Sequence, residues 1–291
     1  MKAILYREYG PPDVLRLEEV EPPRPADDEV LLRVRAASVN PMDWHFMRGT
    51  PYFIRLMLGV GRPKKPRLGA DVAGIVESVG SKVTQFKRGD EVFGTTRGAF
   101  ADFASGPETT LLPKPGNVTF EQAAAATVAG GTALQALRKG EVGPGRKVLV
   151  NGAAGGVGTF AVQIARSFGA EVTGVCSTRN VEMVHSIGAD RVIDYTREDF
   201  TKSGERFDVF IDNVGNHSLS ECRRILNPGG RYFQIGGSPG DWSGGLGRVF
   251  AAPLISLSGN RKLSAFLAKP NKAHWAGLAD LLESGQVKSV I

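Results

Sequence analysis

The chain has 291 residues, of which 42% are hydrophobic and 23% are charged. This is an ordinary globular composition, and the length indicates about two domains. The formal net charge is +6, but prolines interrupt the densest basic run, residues 62–67, so we expect solvated surface there and no nucleic-acid partner.

Nothing in the sequence marks a leader peptide or a membrane span. The opening MKAILYREYG reads as a strand, without the basic and apolar regions of a leader. No run reaches the roughly 18 apolar residues of a transmembrane helix. Cys176 and Cys222 have the spacing of neither a disulfide framework nor a metal site, so we expect both to be reduced. We therefore expect a cytoplasmic protein without a membrane partner.

Residues 1–115 predict a mostly β, barrel-like domain. Short apolar or alternating runs are separated by turn clusters rich in Gly and Pro. The runs expected to be strands are residues 3–6, 14–18, 29–36, 72–79, 91–94 and 100–104. A Pro- and Gly-rich stretch at residues 112–116 then separates this domain from the rest of the chain.

From residue 116 onward the sequence predicts a helix and then alternating strands and helices. Thr119 and Gln122 have the spacing of a capping box at the start of an alanine-rich run. The alternation that follows indicates a doubly wound parallel sheet. The expected strands are residues 147–151, 171–176, 191–193, 207–212 and 230–235, and the expected helices are 157–168, 181–187, 219–226 and 273–283. We expect residues 249–257 to form an edge strand or a partner-facing surface, and residues 287–291 to open another strand.

Four glycines lie between the first strand and the next helix, at Gly152, Gly155, Gly156 and Gly158, within a predicted βαβ unit. A helix N-terminus offers free N–H groups and the positive end of its dipole to a pyrophosphate. Ala153 occupies the first glycine position of the G-x-G-x-x-G pattern, so the match is imperfect. The alternative is a turn whose small residues only pack helix against sheet, but the flanking strands and helix favour a binding site.

Six segments occur in an order that resembles a known family. They read MKAILYREYGPPDVLRLEEVEPPRP, AASVNPMDW, LGADVAGIVESVGSKVTQFKRGDEVFG, GGTALQAL, NGAAGGVG and FDVFIDNVG. Together they resemble the medium-chain dehydrogenase/reductase superfamily, and within it the zinc-free quinone oxidoreductase-like branch. The resemblance implies a mostly-β GroES-like catalytic domain, residues 1–115 with 273–291 returning, and a Rossmann NADP-binding domain, residues 116–272. Family chains add a further helix and strand beyond Ile291, so we expect the catalytic domain to be incomplete at its C-terminal end.

The end of the second strand of the βαβ unit indicates the cofactor. A site for NAD places Asp or Glu there on the ribose 2′-hydroxyl, whereas this chain has Cys176, followed by Ser177 and then Arg179. Arg179 can pair with a 2′-phosphate, so we expect NADPH. The alternative is that Arg179 is a solvated loop cation. The resemblance places Tyr195 on the same side.

Other cofactor contacts follow from the glycine turn and from the resemblance. The turn and the helix start contribute Gly152, Ala154, Gly155, Gly156, Val157 and Gly158. The resemblance implies contacts near the nicotinamide at Asn40, Thr132, Asn213, Val214, Gly236 and Gly237. It also implies a homodimer through the edge of the Rossmann sheet.

The zinc-dependent members of the superfamily carry Cys, His and a second Cys around the substrate, and this chain lacks that set. Asn40 and Ala70 stand at the two ligand positions that the motifs identify, and no Cys lies between Gln122 and Leu137. The histidines have no ligand spacing. We therefore expect no metal site.

Asn40 and Tyr52 are the candidate catalytic residues. The Asn40 amide can donate to a carbonyl or to the ribose without taking up a proton. A turn before Pro41 accounts for an asparagine equally well. Tyr52 can position or protonate a substrate oxygen, and its alternative is an exposed loop aromatic.

These observations predict a zinc-independent oxidoreductase. It would transfer hydride from NADPH to a small-molecule electron acceptor, either a quinone or an α,β-unsaturated carbonyl compound. A second hypothesis is a low-turnover NADPH-binding protein, regulatory or truncated. A zinc-type alcohol dehydrogenase shares the fold, but the residues at the ligand positions disfavour it.

Overall fold

The computed structural model describes residues 1–237, 252, 260–269 and 272–291, and these form two compact units. The N-terminal unit holds the described residues within 1–128 and 270–283, together with Ile291. The parallel-sheet unit holds those within 129–269 and 284–290.

Antiparallel strands form most of the N-terminal unit. In chain order they are β1 (Lys2–Tyr6), β2 (Leu15–Glu19), β3 (Glu29–Ser38), β4 (Asp71–Val79), β5 (Glu91–Thr95), β6 (Phe103–Pro107) and β7 (Leu111–Pro113). β1 pairs with β2, and the other five form a sheet of order β6-β3-β4-β5-β7. The short strand β7, which has only two buried residues, escaped the sequence analysis.

The core of this unit follows from the two-residue repeat of its strands. Val30 and Leu32 on β3 point to one face because they are two residues apart, and each is completely buried. They pack in one cluster with Val72, Val76, Phe86, Val92, Ala99 and Leu111.

Helices complete the N-terminal unit. α1 (Pro41–Arg48) begins where the Asp43 carboxylate accepts the N–H of Asn40, and it ends at Gly49, whose φ of 62° is left-handed. α2 (Arg55–Leu58) is a single turn. The C-terminal helix spans Lys272–Glu283, and its last carbonyls accept hydrogen bonds from Asn117 Nδ2.

Six parallel strands of the described chain form the sheet of the second unit. They are β8 (Lys147–Asn151), β9 (Glu171–Cys176), β10 (Arg191–Asp194), β11 (Phe207–Asp212), β12 (Leu226–Gln234) and β13 (Lys262–Ala265). Their order, β10-β9-β8-β11-β12-β13, is that of a doubly wound Rossmann sheet. The chain adds strands in one direction from β8 to β10 and then in the opposite direction from β11 to β13. The predicted fold class is therefore confirmed.

The remaining described helices are α3 (Phe120–Lys139), α4 (Gly156–Ser167), α5 (Val181–Ser186) and α6 (Leu219–Arg224). The capping box predicted for α3 is present, since Thr119 N donates to Gln122 Oε1 at 2.9 Å and Gln122 N donates to Thr119 Oγ1 at 3.2 Å. No described helix has the length and apolarity needed to cross a bilayer.

Some sequence predictions differ from the structure. Residues 287–291 form no strand, because the side chain of Gln163 on α4 bonds both the N–H and the carbonyl of Lys288. The units divide at residue 128, inside α3, whereas the sequence division lies at residues 115 and 116, and residues 284–290 belong to the parallel-sheet unit. The prediction for residues 249–257 lies outside the described residues, apart from Ala252.

Candidate functional site

A crevice of about 470 Å³ opens where β8, β9, β10 and β11 end. Open α/β sheets bind ligands at this edge, beside the reversal of strand order. Seven of the predicted cofactor residues line it: Gly152, Ala154, Gly155, Ser177, Arg179, Tyr195 and Val214.

The glycine turn brings backbone close to this crevice. Gly152 has a φ of +75°, a conformation that side chains rarely adopt. Gly155 and Gly156 are exposed, and α4 begins at Gly156, so the first-turn N–H groups of Gly156, Val157 and Gly158 have no partner within the helix. This arrangement fits the pyrophosphate of a dinucleotide.

Glycine at position 158 is required by close packing. A Cβ there would lie 2.1 Å from the carbonyl oxygen of Gly152 and 2.8 Å from the Cα of Ala153. Ala153 is tolerated at the first position of the pattern because its Cβ points to β9, where Gly174 has no side chain in its way. The imperfect register therefore leaves the turn intact.

The end of β9 forms the other wall of the crevice. Arg179 and Tyr195 are exposed there, and Arg179 makes no ion pair with any carboxylate of the described chain. The nearby Asp194 carboxylate accepts a hydrogen bond from Thr178 at 2.6 Å, which is the main reason that its pKa is lowered. Cys176 is buried beneath, and burial raises the pKa of its thiol. The exposed Arg179 guanidinium, which has no ion-pair partner in the described chain, can therefore pair with an anionic group of a ligand.

A buried carboxylate orders the loop that follows β11. Asp212 is completely buried, and its Oδ1 accepts from Asn151 Nδ2 at 2.9 Å, Val214 N at 3.1 Å and Gly215 N at 2.8 Å. Its Oδ2 accepts from the Tyr232 hydroxyl at 2.8 Å. The four donors fix the crevice wall that carries Val214.

The other predicted contacts near the nicotinamide do not line this crevice. Thr132 is buried in α3. Asn213 donates from Nδ2 to the Asn151 carbonyl, and its buried Oδ1 has no partner within the described chain. Gly236 packs against the backbone of residue 213, and Gly237 is exposed.

Sequence analysis missed three asparagines that line the crevice, Asn151, Asn180 and Asn216. Asn151 ends the strand before the glycine turn, and this position at the carboxyl end of a parallel strand was the one sequence signal for a place in the crevice. Asn216 is held by Asn151 at 3.0 Å, a contact between residues far apart in the chain.

Asn40 lies in the N-terminal unit, in a buried polar network. Its Nδ2 donates to Asp71 Oδ2 at 3.0 Å and also lies 3.4 Å from Ser38 Oγ, so its N–H groups are engaged within the unit. Asp71 accepts from Ser38 Oγ at 2.7 Å and from Val128 N at 3.0 Å. Burial raises the pKa of Asp71 to about 7. Burial also raises the pKa of Asp43, whose carboxylate holds the N–H groups of Asn40 and Gly69.

Tyr52 is 60% exposed in the same unit. Its ring lies 4.8 Å from the guanidinium of Arg55, which also lies 4.5 Å from the ring of Tyr9. The hydroxyl of Tyr52 is therefore on an exposed, cation-flanked ring.

Comparison with known proteins supplies the family. Residues 26–116 match the model of the alcohol dehydrogenase GroES-like domain, and residues 156–284 match that of the zinc-binding dehydrogenases. A 2-methylene-furan-3-one reductase of Solanum lycopersicum is 34% identical over 304 residues, covering all of this chain and 71% of that protein. The chain belongs to the medium-chain dehydrogenase/reductase superfamily, in its quinone oxidoreductase-like branch.

Other members of the superfamily are similar along most of their length. The quinone oxidoreductase of Rattus norvegicus is 37% identical over 251 residues, covering 81% of this chain and 73% of that protein. The solved structure of the Escherichia coli quinone oxidoreductase complexed with NADPH has a TM-score of 0.84 at 27% identity, and covers all of this chain and 90% of that one.

The residues of this superfamily member do not fit a zinc ion. Asn40 and Ala70 stand at the ligand positions, and the Asn40 amide N–H groups are bonded to Asp71 and Ser38. Within the described residues, no three His, Cys, Asp or Glu side chains cluster in a way that could hold a metal. A catalytic zinc needs three protein ligands, and these side chains do not supply them.

Proposed function

We propose that the chain is an NADPH-dependent reductase of quinones or α,β-unsaturated carbonyl compounds that works without a metal. The observation that carries the proposal is the crevice wall at the end of β9, where Arg179 stands without a carboxylate partner in the described chain. The names of the relatives, a quinone oxidoreductase and a 2-methylene-furan-3-one reductase, support the acceptor class, because a 2-methylene-furan-3-one is an α,β-unsaturated ketone.

Different residues of the crevice bind different parts of the dinucleotide. The backbone N–H groups at the start of α4 bind the pyrophosphate, and Arg179 pairs with the 2′-phosphate. Asp212 holds the loop of Val214 in place through its four donors. The protein contributes position and charge, and the bound dinucleotide supplies the hydride.

The acceptor class follows from what can polarise its oxygen. A simple ketone is a weak hydride acceptor unless a Lewis acid such as zinc withdraws charge, and the side chains at the zinc positions do not provide one. A quinone or enone is already electron-poor at the attacked carbon and needs only a donor to its oxygen.

Tyr52 is the donor that we assign to this oxygen. Because the Asn40 N–H groups already bond Asp71 and Ser38, they are not available to donate to this oxygen. The Tyr52 hydroxyl is on an exposed ring and can donate.

An acceptor panel tests the proposal. The purified chain with NADPH is mixed in turn with quinones, enones, simple ketones and aldehydes, and NADPH absorbance is followed. We expect turnover with quinones or enones and little with simple ketones. Turnover of simple ketones or aldehydes alone would reject the acceptor class. Stoichiometric NADPH binding with no acceptor accelerating oxidation would instead identify a binding protein.

A further inference from the structure

One segment of the N-terminal unit combines exposed apolar side chains with unopposed positive charge. Between Asp43 and Asp71 the sequence has six Lys and Arg residues and no Asp or Glu. Residues 52–65, here called the basic apolar segment, carry most of these features. The proposed function uses only Tyr52 of them.

The apolar part of this segment is large. Five of its bulky apolar side chains are exposed, namely Tyr52 (60%), Phe53 (48%), Leu56 (74%), Met57 (81%) and Val60 (71%). Single exposed apolar residues are ordinary on protein surfaces, but a group of five within nine residues marks an interaction surface.

The backbone beneath these side chains is held in place. The Tyr9 hydroxyl donates to the Gly59 carbonyl at 2.6 Å, and Arg55 Nε donates to the Gly49 carbonyl at 2.9 Å. Lys64 N donates to the Leu58 carbonyl at 2.7 Å. The backbone of the segment is thus already bonded within the unit, so binding through its exposed side chains would order little further backbone.

The charged part lies directly after the apolar part. Arg62, Lys64 and Lys65 are exposed, and none forms an ion pair with a carboxylate of the described chain. No acidic residue lies between Asp43 and Asp71, so the sequence around this short stretch offers no opposite charge.

We infer that the basic apolar segment is a docking surface for a lipid bilayer that carries anionic headgroups. A bilayer presents an anionic layer next to an apolar layer, which matches exposed cations and exposed apolar side chains within one short segment. A nucleic acid offers the anions without the apolar layer. Surface docking needs no spanning helix, so this inference replaces the expectation of no membrane partner, which rested on the lack of a transmembrane run.

Vesicle co-sedimentation tests the inference without measuring turnover, so it is independent of the proposed function. The full chain is mixed with phosphatidylcholine vesicles that contain either no phosphatidylglycerol or one third of it, at low and at high salt. We expect binding to the anionic vesicles that weakens with salt, and little binding to phosphatidylcholine alone. Absence of binding to the anionic vesicles overturns the inference.

Two variants locate the surface. Leu56→Ser with Met57→Ser removes apolar contact, and Lys64→Gln with Lys65→Gln removes charge. We expect each pair to lower the vesicle partition coefficient by about tenfold or more. One matched control is Leu17→Ser, a similarly exposed leucine on β2. The other is Lys2→Gln with Lys87→Gln, two exposed lysines of the same unit that form no ion pair within the described chain. Both controls should bind as the unsubstituted chain does.

Other occupants give different results. Vesicle binding that survives both variant pairs places the contact elsewhere and overturns the inference. Self-association in gel filtration that is lost in the Leu56→Ser, Met57→Ser variant, without vesicle binding, identifies a second copy of the chain instead. Binding to duplex DNA in the absence of vesicle binding identifies a nucleic acid.

Discussion

Arg179 is the side chain on which the proposed preference for NADPH depends. A charge-assisted hydrogen bond contributes about 1.5–3 kcal/mol, or about ten- to hundredfold in affinity. Because Arg179 is exposed, we expect the lower end of this range. Arg179→Ala should weaken NADPH binding about tenfold and leave NADH binding nearly unchanged, as measured by fluorescence titration.

Arg206→Ala is the matched control, because Arg206 is exposed just before β11 begins, at the end of the strands opposite to the crevice. It should leave both affinities unchanged. Equal titration curves for NADPH and NADH with the unsubstituted chain would remove the basis for assigning the 2′-phosphate to Arg179.

The Tyr52 hydroxyl is tested by Tyr52→Phe, which keeps the ring beside the Arg55 guanidinium and removes only the donor. If the hydroxyl donates to the acceptor oxygen, kcat should fall by up to about 10²–10³, and by less where water takes its place. KM should change little. A kcat equal to that of the unsubstituted chain would exclude Tyr52 as the donor.

Asp71 makes stability depend on pH in a direction that can be worked out. Its pKa is about 7 in the folded chain against 3.8 when unperturbed. As pH rises between these values, the unfolded chain releases a proton that the folded chain keeps, so the free energy of unfolding falls. The contribution of Asp71 to the free energy of unfolding is fully present below its pKa in the unfolded chain. It is lost as the pH rises through its pKa in the folded chain.

In the Asp71→Asn variant the free energy of unfolding should therefore fall by less between about pH 4 and pH 7, the difference being on the order of a few kcal/mol. Urea unfolding at several pH values measures it. Asp199→Asn is a control of opposite sign, because the Thr201 hydrogen bond lowers the Asp199 pKa to about 2. Its stabilising contribution is lost only at more acid pH, so it should not alter the slope above about pH 4. Equal slopes for Asp71→Asn and the unsubstituted chain would show that Asp71 is ionised throughout.

At the scale of elements, two glycines at the start of α4 have different roles: Gly158 is needed for packing and Gly155 for cofactor binding. Gly158→Ala places a Cβ 2.1 Å from the Gly152 carbonyl oxygen, and backbone atoms cannot give way as a flexible side chain can. We expect a loss of about 1–3 kcal/mol of stability together with weaker NADPH binding. Thermal unfolding and fluorescence titration measure the two effects.

Gly155→Ala is the paired variant, since its Cβ meets only the Gly152 carbonyl oxygen, at an ordinary 3.4 Å. Stability should be retained while NADPH affinity falls, because the exposed turn is where backbone approaches the pyrophosphate. A Gly158→Ala variant as stable as the unsubstituted chain would contradict the packing argument.

At the scale of the whole molecule, the division into two units predicts where NADPH acts. NADPH at a hundred times its Kd should raise the free energy of unfolding by about 2.7 kcal/mol. Hydrogen exchange should slow most in residues 147–180, which contain β8, the start of α4 and Arg179. Protection that is stronger in β3 and β4 than in this stretch would place the cofactor elsewhere.

The sequence by itself determined the elements and their class, because these depend on local spacing. The capping box at Thr119, the glycine turn at Gly152 and the alternation of strands and helices all concern residues within a few positions of each other. The four-residue strand β13 was missed, since its one buried hydrophobic side chain, Leu263, is too weak a pattern.

Only the tertiary structure decided which polar groups meet. Asp71 bonds Val128, 57 residues away, and Asp212 bonds Asn151, 61 residues away, so neither pair leaves a local signal. The same holds for Gln163, whose side chain bonds the backbone N–H and carbonyl of Lys288. These bonds take the place of the strand pairing that the sequence predicts for residues 287–291. Such contacts depend on where the folded chain brings distant residues, because a buried polar group must find its partner in space rather than along the sequence.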